Sequence, residues 1–404
     1  MSDLAPETRE EAYLYALATD GTVSLTPRTR KEALLKCAIE GRLPEFDPHT
    51  RKEAFLHALC MRNAGGGSGG GEAVTLQDKT FTENGTYTAD EGYTGLGTVV
   101  VDVASSGGEG VDYMALRIGG SLTEYNNSTV DHLERYAFAY CTHLKSVNLP
   151  NCKFAGSFAF YNCYGLRSVS LPVCNDVRSG AFNNCSKLES VCFSICSEIG
   201  SRAFYSCSSL VSANFPTCTT IYSEAFSGCT SLQNVNFPMC NIIDGSVFYS
   251  CKSLAEVDFP LCNSVRDKVF YGCTSLTSAN FPVCKNIGSY AFYGCSNLTD
   301  INLPVCSRIS SYAFQGCTSL KDVSFPECQR IENNALRACA ALTTLVLGSS
   351  SVCGLAASNA FTSTPIESGT GYIYVPASLV DAYKSATNWT YFSTQISAIE
   401  DMPS

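Results

Sequence analysis

The residues with the most chemical potential in this chain are its cysteines, and their spacing is regular. Cys141, Cys163, Cys185, Cys207, Cys229, Cys251, Cys273, Cys295, Cys317 and Cys339 are each 22 residues apart. A second series, Cys152, Cys174, Cys196, Cys218, Cys240, Cys262, Cys284, Cys306 and Cys328, keeps the same period. Together they account for nineteen of the 23 cysteines. Zinc would need paired ligands, yet no CxxC occurs and each column presents one thiol per unit. Within a unit, Cys229 and Cys240 bracket a strand, so they are not placed to bond to each other. Between units, stacked Cα atoms about 4.8 Å apart fall inside the disulfide range, but strand geometry rarely supplies the dihedral angle. The expected state is a reduced, buried thiol acting as a small hydrophobe. Other chemistry is sparse. The four histidines, His49, His57, His132 and His143, do not recur in the repeat. The one GxSxG match lies in a glycine tether where no strand-turn-helix elbow can form, and HExxH and Gly-Lys-Ser/Thr loops are absent. No catalytic residue, metal or cofactor is expected.

The elements that position these thiols follow from the period. The unit Ala225 to Ser246 reads AFSGCTSLQNVNFPMCNIIDGS. Val235 and Phe237 alternate with Asn234 and Asn236, which is the pattern of a half-buried strand. Leu232 enters the same core from the preceding turn. Pro238 stops the strand because it offers no N–H to a ladder. Ile243 is buried next, and Val247 and Phe248 open the following unit. Leu166, Val169 and Leu171, then Leu254, Val257 and Phe259, then Leu298, Ile301 and Leu303 repeat the arrangement. One unit cannot bury these residues alone. Stacking them does, as a parallel strand ladder of about ten coils.

The AFxxCxxLxxVxFPxCxxI pattern resembles the BspA-like class of leucine-rich repeats, found in bacterial surface adhesins and prophage-encoded proteins. The match covers residues 133 to 347. Around Cys192 it departs, with Cys192 at an outward position and Ser194 in place of proline. After Arg330 it decays, with Leu336 for Phe and Gly348 and Ser349 where proline and its neighbour stood, as in a capping repeat. The resemblance implies a β-rich leucine-rich-repeat solenoid and a role in recognition, to which the flanking sequence adds a small N-terminal helical segment and a small β-module.

Five segments are expected. Residues 1–64 hold Thr8-Arg9, Thr29-Arg30 and Thr50-Arg51, each followed by Glu11, Glu32 or Glu53 and then by alanine, which reads as three capping boxes with short apolar-striped helices behind them. These helices suit either a self-contained bundle or docking on another subunit. Residues 65–73 are a Gly-rich linker. Residues 74–104 form a small β-module, with a hairpin signal at Asn84-Gly85 and alternating Val99, Val101 and Val103. Residues 113–348 are the solenoid. Residues 349–404 form a cap, with a strand over 372–376 and a helix over Ala377 to Ser385 near Trp389, the single tryptophan. The β-module, through Asn84 to Tyr87, Gly92, Tyr93 and Val103, resembles modules of phage and prophage virion proteins from Gram-positive gut bacteria. The TRxEA repeats and the C-terminal stretch resemble segments of such proteins too.

A net charge of -10 with no dense Lys/Arg patch excludes nucleic acid as the expected partner. No run of eighteen apolar residues spans a bilayer, and Met1 to Glu11 lacks a secretory apolar stretch, so cytoplasmic synthesis is expected, with virion association if the chain is phage-encoded. Only 16% of residues are charged, so Ser, Thr, Asn and Tyr must solvate the surface. Two outward columns are the binding candidates. Asn148, Asn214, Asn236, Asn280 and Asn302 share one strand position; Tyr161, Tyr205, Tyr249, Tyr271 and Tyr293 follow the Phe of each unit, with Tyr290 and Tyr312 nearby. Of these, Tyr205, Tyr249, Tyr271, Tyr293, Asn214, Asn236, Asn280 and Asn302 are expected to meet a protein or glycan on a host cell surface. The alternative for the tyrosines is that they cover the turn and stack on one another. Residues 1–64 are expected to meet a virion or assembly partner. A cell-surface adhesin and a cytosolic scaffold are the competing functions.

Overall fold

The computed structural model describes residues 137–403 continuously, residues 124–126, 128, 130–133 and 135 before them, and five strands between Val74 and Ile118. The capping-box helices and the glycine linker lie outside the described residues. The chain divides into two units, the second made of residues 95–97 and 118–404.

In the first unit, Val74–Leu76 pairs antiparallel with Lys79–Phe81, and Gly85–Tyr87 pairs antiparallel with Val99–Val103. Gly85 therefore faces Val101, and the Asn84-Gly85 hairpin expected from the sequence is replaced by a longer connection. An Asn-Gly pair signals a tight turn only where the two flanking segments can pair with each other. Here the valine-rich strand is the better partner.

In the second unit each 22-residue coil contributes two strands. One has three residues, as in Asn234–Asn236, and the other has two, as in Ile242–Ile243. The two-residue strands form one parallel ladder of eleven, from His132–Leu133 to Gly354–Leu355. The three-residue strands run beside it in parallel groups of three or four, starting at Glu124–Asn126. Register is one coil per step: Asn214 lies beside Asn236, and Ile221 beside Ile243. A third line of inter-coil hydrogen bonds runs through the turn. Glu224, Phe226 and Gly228 donate their N–H groups to the carbonyls of Gly245, Val247 and Tyr249. This line requires two left-handed residues per coil, such as Glu224 at φ 59° and Gly228 at φ 77°. Glycine supplies the second of these without steric cost.

The solenoid is longer than the ten units marked by cysteine, with about twelve rungs. The coil at Glu124–Leu133 lacks both cysteines; Val130 takes the place of the second-column thiol and is buried. At the other end the ladder continues into the expected cap. Tyr372–Val375 pairs with Thr344–Val346, and Ile396–Ala398 pairs with Tyr372–Val375. The last coil is followed by the six-residue helix Val380–Ser385 and the buried Trp389. The peptide of Cys353 is gripped from both sides. Its N–H donates to Tyr383 Oη at 2.8 Å, and its carbonyl accepts from Trp389 Nε1 at 2.6 Å.

The core explains the repeat. Phe226, Leu232, Phe237 and Ile243 are buried, as are Cys229 and Cys240. The Phe rings stack from coil to coil, Phe204 on Phe226 at 5.1 Å and Phe226 on Phe248 at 5.6 Å.

Candidate functional site

The two cysteine columns occupy the interior and not a site. All 21 described cysteines are free thiols, and Cys192 alone is exposed. From Cys163 to Cys339, each first-column thiol donates to a backbone carbonyl of the preceding coil: Cys229 Sγ to Phe204 O at 3.1 Å, Cys251 Sγ to Phe226 O at 3.2 Å. Each second-column thiol donates two residues ahead, as Cys262 Sγ does to Ser264 O at 3.2 Å. Burial pushes these thiols up, Cys262 and Cys306 to about 12, so they remain protonated. A protonated thiol is neither nucleophile nor metal ligand. Among the described residues, no three His, Cys, Asp or Glu side chains gather where a metal could sit. No helix of the described residues is long and apolar enough to cross a membrane.

The asparagine column is a hydrogen-bonded ladder. Asn236 Nδ2 donates to Asn214 Oδ1 at 2.7 Å, and Asn302 Nδ2 donates to Asn280 Oδ1 at 2.7 Å. Asn280 in turn donates to Asp258 Oδ1 at 2.7 Å, and Asn214 to Cys192 Sγ at 3.4 Å. The four asparagines named from the sequence thus fall into two pairs, separated at Asp258, where the column becomes acidic. Asn214 and Asn280 are half-buried, Asn236 and Asn302 exposed. Each amide has two N–H donors and uses one within the ladder, which leaves the second for a ligand.

The tyrosines sit on another part of the coil, beyond the turn. Tyr249, Tyr271 and Tyr293 form one stack, with centroids 4.7 Å apart at each step and planes within 9°. Tyr290 and Tyr312 form a second at 4.6 Å, joined to the first through Tyr290 and Tyr293 at 5.8 Å. All five are half-buried. Burial, then the neighbouring Tyr293 and Tyr249, hold the Tyr271 hydroxyl above its usual range. Tyr205 stands apart, because Ser227 occupies its column in the next coil; Arg202 lies over its ring at 5.9 Å. Stacking turns the ring faces toward one another, so the edges and hydroxyls are what the column offers.

A groove of about 330 Å³ opens on the side of the two-residue strands, lined by Asp176, Arg178, Glu198, Gly200, Ser201 and Tyr222. Arg178 Nε pairs with Asp176 Oδ2 at 3.0 Å, and Tyr222 Oη donates to Glu198 Oε2 at 3.3 Å. Gly200 forms its floor, where a Cβ would come within 2.5 Å of the Arg178 backbone.

One surface feature escaped the sequence reading. The residue between Pro and Cys in each FPxC segment is exposed, and it is aliphatic in six coils: Val173, Ile195, Met239, Leu261, Val283 and Val305. Its signal is the period itself, read at a position outside the strand.

Stacked parallel coils with an inner Leu/Phe/Ile core and an ordered polar strand face define a leucine-rich-repeat solenoid. The chain belongs to the BspA type leucine rich repeat family, whose repeat region matches residues 121–233, 197–305 and 241–367. It is similar to the crystal structure of a leucine-rich repeat protein from Bacteroides ovatus, with 19% identity, 74% of this chain and 98% of that chain covered, and a TM-score of 0.34. For a leucine rich cell surface protein from Faecalibacterium prausnitzii the figures are 17%, 77%, 98% and 0.37. For a leucine rich repeat protein of T. pallidum they are 25%, 46%, 83% and 0.35. No curated protein matches the sequence.

Proposed function

We propose that this chain is a non-enzymatic recognition protein whose solenoid binds a protein or glycan on a host cell surface, while residues 1–64 join it to a phage or prophage virion. The observation that carries the binding half is the asparagine ladder. A ligand meeting it finds amides already held in register at the coil spacing, with donors left over, so little side-chain entropy is lost on contact. The five-tyrosine cluster is a second contact surface, presenting hydroxyls and ring edges. The attachment half rests on the capping-box repeats and on the resemblance of the flanking segments to virion proteins. A tether between two functional ends raises local concentration without fixing orientation.

The test is binding of the purified chain to whole bacterial cells and to a glycan array. Changing Asn236, Asn280 and Asn302 to Ala is expected to weaken binding about ten-fold, since each lost hydrogen bond is worth roughly 0.5–1.5 kcal/mol. Unchanged binding would move the site off the strand face. Immunogold labelling separates the locations: gold on phage particles supports the virion reading, whereas gold on the bacterial envelope alone supports a surface adhesin of the same family.

A further inference from the structure

The exposed aliphatic residues of the FPxC segments form a continuous stripe along the solenoid. Val173, Ile195, Met239, Leu261, Val283 and Val305 are 38% to 50% exposed, well above what an apolar side chain in a core shows. Thr217 fills the one remaining coil. Thr217 is exposed, and its single hydroxyl proton is shared between Ser194 O and Cys196 O, both at 3.2 Å, so it adds no free donor to the row. The stripe therefore runs unbroken through seven coils, about 29 Å at roughly 4.8 Å per step. It ends at both sides on a polar exposed residue, Asn151 and Glu327. An ordered apolar row of this length on an otherwise polar surface marks an interaction site.

Two features say what covers it. The first is symmetry about Met239. Thr217 and Leu261 lie one coil away on either side, Ile195 and Val283 two, Val173 and Val305 three, and the polar ends Asn151 and Glu327 four. Ile242, 44% exposed, widens the stripe in the same coil as Met239. The second is an inversion of charge along the flank beside the stripe. In the column of Ile242, Asp176 and Glu198 stand three and two coils before it, and Arg308 and Arg330 stand three and four coils after it.

We infer that the stripe is the contact between two copies of this chain, laid antiparallel about a two-fold axis through Met239. In that arrangement Val173 faces the partner copy's equivalent of Val305, and Asp176 meets the partner copy's equivalent of Arg308, each pairing formed twice by symmetry. Asp176 and Arg308 are now held in exposed ion pairs with Arg178 at 3.0 Å and Glu332 at 2.9 Å. Such pairs are weak in water and exchange readily. Arg330, a like-charged neighbour of Lys153 across the interface, is bound to Glu332 at 3.3 Å. The contact is narrow, so micromolar association is expected. The inference is independent of what the strand face binds.

Sedimentation velocity of the full chain from about 1 to 200 µM is expected to show a concentration-dependent dimer. A monomer throughout that range overturns the inference. Met239→Lys places two like charges on the axis and should weaken association by at least about ten-fold while the thermal melt stays unchanged. Asp176→Arg should weaken it too, and Asp176→Arg with Arg308→Asp should restore it; failure of the restoring pair overturns the antiparallel register. Cross-linking reads the geometry directly, in a background where Cys37, Cys60 and Cys192 are changed to Ser. Met239→Cys is expected to link to its own copy. Val173→Cys is expected to link only when mixed with Val305→Cys, and a Val173→Cys self-link overturns the proposal.

Discussion

Phe248 and Tyr249 are neighbours in the chain, and so are Phe270 and Tyr271, and Phe292 and Tyr293. Each pair feeds two columns of stacked rings. The inner rings stand 5.5 Å and 5.1 Å apart and are fully buried, with Phe259 and Phe281 wedged alongside at about 6 Å. The outer rings are 4.7 Å apart and half exposed. Both columns owe their stacking to the coil rise, which places any repeated aromatic one step above the last. What the stacking is worth differs, because the inner rings also leave water. Periodicity makes contacts, and burial makes them matter.

Alkali should break the interior most completely. Burial raises the second-column thiols, to about 12 for Cys152, Cys174, Cys240, Cys262 and Cys306 and in the same direction for Cys196, Cys218 and Cys284, while the hydrogen bond with Cys353, then burial, raises Cys328. In the unfolded chain they ionise near their ordinary value of about 9. Above that pH the unfolded state holds fewer protons than the native state, so stability falls as pH rises. The stabilising contribution is whole below about pH 9 and is lost between there and the folded values. Each thiol costs on the order of 1.4 kcal/mol per pH unit across that window, so the five held at about 12 together cost about 10 kcal/mol by pH 10.5, comparable to the roughly 5–15 kcal/mol that holds a domain. Far-UV circular dichroism should therefore show the solenoid intact at pH 8 and unfolded by about pH 10.5. A native spectrum at that pH would show that the thiols are not held in a dry core.

Phe248→Ala should come next. Removing one ring from the middle of the buried column leaves a cavity with rings above and below, at a cost of about 3–5 kcal/mol. Urea unfolding, followed at far-UV wavelengths and by Trp389 fluorescence, should report a lower midpoint. Because coils couple only to their neighbours, the coils around Phe248 should open before the cap that holds Trp389. Simultaneous loss of both signals would show longer-range coupling than nearest-neighbour stacking provides.

The smallest effect belongs to the outer column. Changing Tyr249, Tyr271 and Tyr293 to Ser removes two stacked contacts at a half-exposed surface and should cost about 1–2 kcal/mol. The same urea series measures it. A loss as large as that of Phe248→Ala would mean that the outer rings carry the turn. If stability holds but cell attachment falls, the tyrosine edges bind ligand.

Much of this was readable in the linear chain. The 22-residue period, the core positions Leu232, Phe237 and Ile243 and the strand at Tyr372 all follow from spacing and residue type. Regular apolar spacing leaves few ways to bury a repeat, and stacking is one that succeeds. The coil at Glu124 lies inside the expected solenoid, but the count of about ten passed over it because its markers are gone, with Val130 where a cysteine would stand. The Asn84-Gly85 turn was misread because a local signal says nothing about which distant strand offers the better partner. The exposed aliphatic stripe was overlooked because FPxC was read for its proline and cysteine, and the residue between them has no role in forming the coil.

By itself the sequence determined the repeat, its length of coil and the sorting of apolar residues to the inside, since all of these depend on which residues recur at which spacing. Only the tertiary structure decided which recurring residues touch. Asn236 reaches Asn214 but not Asp258, Tyr249 joins a stack that Tyr205 cannot reach across Ser227, and Val173 lines up with Val305 on one exposed edge. Each of those outcomes depends on the coil rise and on the side from which a residue leaves the backbone, and both are properties of the stack and not of any single unit.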